Sequence, residues 1–225
     1  MEKIQISFKK KEKIGLFGGT FNPIHSGHLR AAEVVQKKFN LDKILFIPSY
    51  IPPHKNAAEI TSPTHRLKMV ELALDPYSHF VPCSIEVDAK EKSYSILTLN
   101  KIRNLYPEAL IFFILGLDAF IEIDTWKDYE LVLEQCFFIV INRQGDCFDE
   151  AKKVLTEKYR EKMYELSKSE AIKDDLLFSF RIFLLLIDAL DIASTDVRER
   201  IKRSDSIKDL VPDQVELYIK ENKLY

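Results

Sequence analysis

Gly15-Leu16-Phe17-Gly18-Gly19-Thr20-Phe21-Asn22-Pro23-Ile24-His25-Ser26-Gly27-His28-Leu29 carries an apolar run into paired glycines, a turn and the start of an amphipathic helix. Lys13 to Phe17 predicts a first strand. Gly18 and Gly19 lack a Cβ, so the backbone there can turn sharply and approach a ligand closely. The helix start beyond them offers free N–H groups and a positive dipole end to an anion. His25 and His28 are three apart and share one face of a first helical turn. Two imidazoles beside exposed amides suit the oxygens of a polyphosphate. The stretch is neither a P-loop nor a Gly-x-Gly-x-x-Gly fingerprint, because no Gly-Lys-Ser/Thr follows the glycines. Two other readings stand beside this one. One is a glycine turn with two surface histidines. The other is a metal site, for which no Cys or carboxylate accompanies the histidines at a familiar spacing.

Working outward, Lys43 to Pro48, Ala109 to Leu115, Phe137 to Ile141 and Ile182 to Ile187 are mostly apolar at consecutive positions. That pattern predicts strands covered on both faces. Phe80 to Val87 is a further strand candidate. Helical spacing appears in Gly27 to Phe39 (Leu29, Ala32, Val35, Phe39), His65 to Leu74 (Leu67, Val70, Leu74) and Ser95 to Leu105 (Ile96, Leu99, Ile102). Strands alternating with helices predict an α/β fold, a Rossmann-like, mainly parallel sheet with helices on both faces. Ligands of such sheets bind beyond the carboxyl ends of the strands. In Cys147 to Asp175 the residues Phe148, Ala151, Leu155, Tyr159 and Met163 allow a long helix. Lys and Glu dominate there, so a charged surface helical segment is expected. Pro212 to Tyr225 reads as a C-terminal helix on the core. No repeat, low-complexity tract or linker interrupts the chain.

The 225 residues (26.2 kDa) match a single domain over 1–225. Thirty-three Lys and Arg against 35 Asp and Glu give a net charge of −2, which argues against general nucleic-acid binding. One small anion site needs only a few donors. Cys83, Cys136 and Cys147 are odd in number and form no Cys-x-x-Cys, so thiols in a reducing cytoplasm are expected rather than a disulfide framework. The first residues have no apolar core like that of a signal peptide, and the apolar runs are too short for a membrane helix. A cytoplasmic location, with no membrane partner, is the expectation. Nothing in the sequence indicates the oligomeric state.

A second candidate anion site follows the last apolar strand, in Asp191-Ile192-Ala193-Ser194-Thr195-Asp196-Val197-Arg198. Ser or Thr is a natural N-cap and an acidic residue suits the first turn. Alone, this is a capped helix. Other polar groups stand just past predicted strand ends. They are His54 and Lys55 in Pro52-Pro53-His54-Lys55, Asp118 in Gly116-Leu117-Asp118 with Trp126 downstream, and Arg143. A helix start near Tyr94-Ser95 would offer N–H groups to a carboxylate.

Thr20-Phe21-Asn22-Pro23-Ile24-His25-Ser26-Gly27-His28 resembles the (T/S)-x-x-x-H-x-G-H signature of the nucleotidyltransferase superfamily, and the longer stretch from Gly18 resembles its bacterial nicotinate-nucleotide adenylyltransferase branch. Ile192-Ala193-Ser194-Thr195-Asp196-Val197-Arg198 is similar to the family's Ile-Ser-Ser-Thr-x-Ile-Arg, with Ala193 in place of a Ser. The likeness runs from Lys13 to Leu224-Tyr225, apart from the charged segment after Cys147. It implies AMP transfer from ATP to nicotinate mononucleotide, with pyrophosphate leaving and Mg²⁺ carried on ATP rather than in a protein metal site. It also implies roles. His25, His28 and Thr20 would meet ATP phosphates beside Gly18 and Gly19, and Ser194, Thr195 and Arg198 would hold the β- and γ-phosphates. Lys55 would face a phosphate. Tyr94 and Ser95 would receive the nicotinate carboxylate, with Ser95 keeping the hydroxyl cap of the family's Thr. Asp118 would bond ribose, Trp126 would stack on the pyridine, and Arg143 would meet the ligand. The alternatives are an adenylyltransferase for phosphopantetheine or nicotinamide mononucleotide, and a nucleotide-binding regulatory module without turnover.

Overall fold

The computed structural model describes residues 11–52, 60–143, 147–167, 172–188, 190 and 192–225. The strands among them are β1 (Lys13–Gly19), β2 (Lys43–Pro48), β3 (Phe80–Pro82), β4 (Leu110–Gly116), β5 (Phe137–Arg143), β6 (Met163–Leu166) and β7 (Ile182–Ile187). They form one sheet in the order β3-β2-β1-β4-β5-β7-β6, with every neighbouring pair parallel. The helices are α1 (Ser26–Phe39), α2 (Pro63–Leu74), α3 (Ile85–Ala89), α4 (Ser95–Leu105), α5 (Leu117–Phe120), α6 (Tyr129–Gln135), α7 (Asp149–Val154), α8 (Glu157–Arg160), α9 (Leu176–Ser179), α10 (Ser194–Lys202) and α11 (Asp213–Glu221). This is the Rossmann-like α/β fold expected from the sequence.

Period-2 alternation divides the central strands between two cores. Ile14, Leu16, Leu45, Ile111, Phe113, Phe138 and Leu184 pack on one face with Leu99 of α4 and Val132 of α6. Phe17, Phe46, Phe112, Ile114, Ile139 and Phe183 pack on the other with Val35 of α1, Val70 of α2 and Val215 of α11. Both faces are covered, which is why the strands read as continuous apolar runs. The chain steps from β1 outward to β2 and β3, then returns to place β4 on the other side of β1. The order therefore reverses between β1 and β4, the position where a parallel sheet opens a crevice at its carboxyl edge.

Three expectations are corrected. The strand read over Phe80 to Val87 stops at Pro82, and α3 takes up Ile85 to Ala89. Among the described residues of Cys147 to Asp175 there is no long surface helix: α7 and α8 are short, and β6 adds an edge strand paired with β7. Phe148, Ala151, Leu155 and Tyr159 are buried there. Their helical spacing was a core signal, interrupted at Leu155 and Thr156. In α2 the buried face is Arg66, Met69, Val70, Ala73 and Leu74, while Leu67 is only half-buried.

Candidate active site

The elbow after β1 turns in a way the paired glycines did not foretell. Gly18 and Gly19 are the last two residues of the strand. The left-handed residue is Phe21 (φ 48°), followed by a cis peptide between Asn22 and Pro23. The Phe21 ring lies beneath Gly19, so that a Cβ there would stand 3.0 Å from its Cζ. A Cβ on Gly18 would meet nothing closer than Phe113 Cζ at 4.0 Å and would project into open space. Gly19 is thus glycine for packing, and Gly18 keeps a cavity wall bare.

That cavity, of about 590 Å³, lies over the β1–β4 edge. Gly18, Gly19, Thr20 and His28 line it from the elbow, Tyr94 and Ser95 from α4, and Asp118 and Trp126 from beyond β4. A second cavity of about 400 Å³ adjoins it toward β5 and β7, lined by His25, Asn142, Ile187, Leu190 and Ile192. Gly116, Asp118 and Ile141 belong to both walls. The elbow histidines stack with centroids 3.6 Å apart, His28 at the larger cavity and His25 at the smaller.

His25 is the N-cap of α1, and its backbone N–H donates to Nδ1 of His28 at 3.2 Å. With Nδ1 accepting, the proton of a neutral His28 sits on Nε2, which becomes a donor. Burial, with the neighbouring His25 second, holds His28 well below the usual imidazole range. Its ring packs edge-on against Phe17 and Phe21. His28 is half-buried rather than fully accessible. The helix start is also less open than expected, because the Ser26 N–H donates to Leu210 O at 2.8 Å.

The second candidate anion site folds onto the elbow from α10. Ser194 Oγ donates to Pro23 O at 2.9 Å, Arg198 Nη1 to Asn22 O at 2.9 Å, and Arg198 Nη2 to Thr195 Oγ1 at 3.3 Å. Asn22 Oδ1 accepts the Tyr225 hydroxyl at 2.9 Å and the Thr61 N–H at 3.2 Å. The N-cap of α10 is Ala193, not Ser194 or Thr195. Ser194, Thr195 and Arg198 line neither cavity, although they abut the elbow that does.

At α4 the cap is Tyr94 and Ser95 is the first helical residue, which corrects the reading of Ser95 as a hydroxyl cap. The first intrahelical bond runs from Leu97 N–H to Tyr94 O, so the Ser95 and Ile96 amides head the helix ahead of it. Trp126 stands edge-on to Phe113 with centroids 5.7 Å apart, and Lys127 Nζ lies over the Tyr94 ring at 5.2 Å. Lys55 lies outside the described residues. The backbone of Arg143 ends β5 opposite Ile187, and its side chain also lies outside them.

Two residues that the sequence reading passed over belong here. Glu86 of α3 lines the larger cavity and accepts Thr98 Oγ1 at 2.5 Å. Burial pushes its carboxyl up, opposed by hydrogen bonds from Ser93 and Thr98. Arg66 is fully buried on α2 and donates to Thr20 O at 2.7 Å. Its signal was available, since a charged residue recurs with Val70 and Ala73 on the buried stripe at helical spacing. No group of three or more His, Cys, Asp or Glu among the described residues could hold a metal ion. Likewise, no helix among them is long and apolar enough to cross a membrane.

The Cytidylyltransferase-like family model matches residues 16–200. A probable nicotinate-nucleotide adenylyltransferase of Desulfitobacterium hafniense (strain Y51) is 39% identical over 215 residues, covering 95% of this chain and 96% of that protein. The protein of the same name in Desulfatibacillum aliphaticivorans is 40% identical over 219 residues, covering 95% and 99%. Among solved structures, Plasmodium falciparum nicotinic acid mononucleotide adenylyltransferase complexed with NaAD is similar with a TM-score of 0.70 and 20% identity. That alignment covers 95% of this chain and 97% of the other, and the likeness is one of fold.

Proposed function

This chain belongs to the nicotinate-nucleotide adenylyltransferase family within the cytidylyltransferase-like proteins, and from that premise we infer how its residues divide the reaction. The enzyme transfers AMP from ATP to nicotinate mononucleotide, giving nicotinate adenine dinucleotide and pyrophosphate. A phosphate oxygen of the mononucleotide attacks the α-phosphorus as the bond from that phosphorus to the bridging oxygen breaks. The electron pair leaves with pyrophosphate. An ionised phosphate is already nucleophilic, so no side-chain base or covalent intermediate is needed. Catalysis rests on placement and charge stabilisation.

The observation that carries this reading is the pair of adjoining cavities at the β1–β4 reversal, with the His25–His28 stack between them and Asp118 in both walls. The larger cavity suits the mononucleotide, with Trp126 against the pyridine and the Ser95 end of α4 toward its carboxylate. The smaller suits adenosine, lined by Ile187, Leu190 and Ile192 with Asn142 as a polar group. Asp118 reaches ribose hydroxyls. His28 donates Nε2–H to the phosphate that changes hands, and Thr20 holds the α-phosphate. Ser194, Thr195 and Arg198 receive the pyrophosphate end, where a guanidinium and a helix start favour negative charge. By resemblance alone, Lys55 is assigned to a phosphate and Arg143 to the ligand. Mg²⁺ arrives as part of the ATP substrate. A cytoplasmic site of action agrees with the composition.

Pyrophosphate release, measured with ATP and each of nicotinate mononucleotide, nicotinamide mononucleotide and phosphopantetheine, tests the reading. The expected result is turnover with a preference of at least about tenfold for the nicotinate compound. A charged hydrogen bond at a helix start contributes roughly 1.5–3 kcal/mol, which supports that margin. Equal use of acid and amide would leave only the broader adenylyltransferase class. No release with any of them would favour the regulatory module.

A further inference from the structure

Arg66 is fully buried, and its guanidinium spends its donors on three backbone carbonyls. Nη1 donates to Thr20 O at 2.7 Å, Nε to Thr61 O at 2.8 Å and Nη2 to Tyr50 O at 3.1 Å. These acceptors come from three separate segments: the elbow, the residues after β2 and the residues before α2. Among the described residues no carboxylate forms an ion pair with it. Burial lowers the guanidinium to about 10, so it remains charged at neutral pH. Attraction to Glu86 only partly offsets the burial of this charge, which is costly, and an apolar residue would suit the stripe of α2 better if packing were the only demand.

The three acceptor residues show what this charge holds. Thr61 gives its carbonyl to Arg66 and its N–H to Asn22 of the elbow at 3.2 Å. Tyr50 gives its carbonyl to Arg66 and its N–H to Ser93 Oγ at 2.8 Å, on the wall of the larger cavity. Ser93 in turn bonds Glu86, which also holds Thr98 of α4. A planar fork presents donors on three nitrogens in fixed directions, whereas an ammonium aims its three donors from a single nitrogen and cannot reproduce that spread.

We propose that Arg66 is a positioning residue for adenylyl transfer, fixing the elbow beside ATP relative to the cavity wall beside the mononucleotide so that attacking oxygen and α-phosphorus meet in line. This rests on the proposed placement of ATP phosphates at the elbow and of the mononucleotide against the α4 wall. Each half-site keeps its own contacts without Arg66, and what is lost is their mutual placement. A misplacement of about 1 Å between reacting groups costs on the order of 100-fold.

The test is Arg66→Lys, which keeps the charge and loses the fork, assayed by pyrophosphate release per folded molecule. Its kcat is expected to fall at least about 30-fold, with KM for ATP and for nicotinate mononucleotide each within about threefold of wild type. An unchanged kcat, whatever the loss in Tm, would overturn the proposal and make Arg66 a stability residue only. A rise in KM without loss of kcat would overturn it too. If Arg66→Lys fails to fold, Ser93→Ala cuts the same chain of bonds at its far end. That variant should show a smaller fall in kcat, about three- to tenfold, at nearly constant KM; a changed KM with intact kcat would refute the chain. Wild-type turnover is the reference throughout, and its absence would instead overturn the substrate assignment together with this proposal.

Discussion

His28 does two separable things, and two amide replacements take them apart. Its Nδ1 accepts the His25 N–H, closing the start of α1, while Nε2 is left as the donor at the cavity. In His28→Asn the side-chain oxygen lies near the old Nδ1 and keeps the cap, but nothing reaches the Nε2 position. In His28→Gln the amide nitrogen lies near the old Nε2, while the cap acceptor is displaced. Losing a preorganised donor to transition-state charge costs about 2.7–4 kcal/mol, or 10²–10³ in kcat. Losing a cap costs about 1 kcal/mol, which for a chain of this size is roughly 2–4 °C in Tm. His28→Asn should therefore melt like wild type and turn over at least about 100-fold more slowly. His28→Gln should melt a few degrees lower and retain more kcat than His28→Asn. The depressed basicity of His28 adds a pH signature. Below the ordinary imidazole value of about 6.5 the unfolded chain takes up a proton that the folded one refuses. This contribution to stability is complete above that pH and declines as pH falls toward the depressed folded value, by up to about 1.4 kcal/mol per pH unit. Neither amide variant should show it. Steady-state pyrophosphate release and thermal melts between pH 5 and 8 supply both readouts. Wild-type kcat in His28→Asn, or melts that run parallel across the pH range, would refute the reasoning.

Gly18→Ala should leave Tm unchanged while raising KM or lowering kcat, because its Cβ enters the cavity. Gly15→Ala should instead cost about 1–3 kcal/mol, since its Cβ would stand 2.8 Å from Ile114 Cδ1 and 2.9 Å from Leu41 Cδ1; melts and kinetics on both variants decide. Trp126→Ala should weaken both pyridine mononucleotides alike and preserve the preference for the acid, because stacking does not read the ring substituent. A changed acid-to-amide ratio in kcat/KM would count against that placement. Cys136, buried and with its thiol pushed up to about 12 by burial, should be replaceable by Ser with about 1 kcal/mol lost and kcat intact. An inactive but folded Cys136→Ser variant would reveal a missing thiol step.

The strands covered on both faces were legible because their burial leaves the apolar run uninterrupted. Short edge strands lack that signature: Met163–Leu166 has Glu165 in it and follows a Lys- and Glu-rich stretch, so only pairing with β7 reveals it. The elbow was legible as a place and not as a conformation. Its paired glycines drew the turn to themselves, whereas packing of the Phe21 ring moved the left-handed residue two positions on. Caps were misread at α4 and α10 for one reason: a hydroxyl in the right neighbourhood says nothing about which residue leaves helical geometry. At Ser194 the hydroxyl was wanted by Pro23 O instead. Glu86 was out of reach because its hydroxyl partners are brought together only by the tertiary fold; Arg66 was legible as a charge on the apolar stripe of α2, but the three carbonyls it holds were not.

The bonds that fasten Asn22 and Pro23 to Ser194, Arg198 and Tyr225 span 171, 176 and 203 positions of sequence. During translation the strand, the glycines and both histidines leave the ribosome early, and their fastenings emerge late. The nascent chain thus carries the recognisable signature long before it has a phosphate site, and competence is conferred by the final docking of α10 and α11. A substitution at Tyr225 therefore acts on Asn22, 203 positions earlier, and catalytic output becomes a readout of whether the later elements have docked.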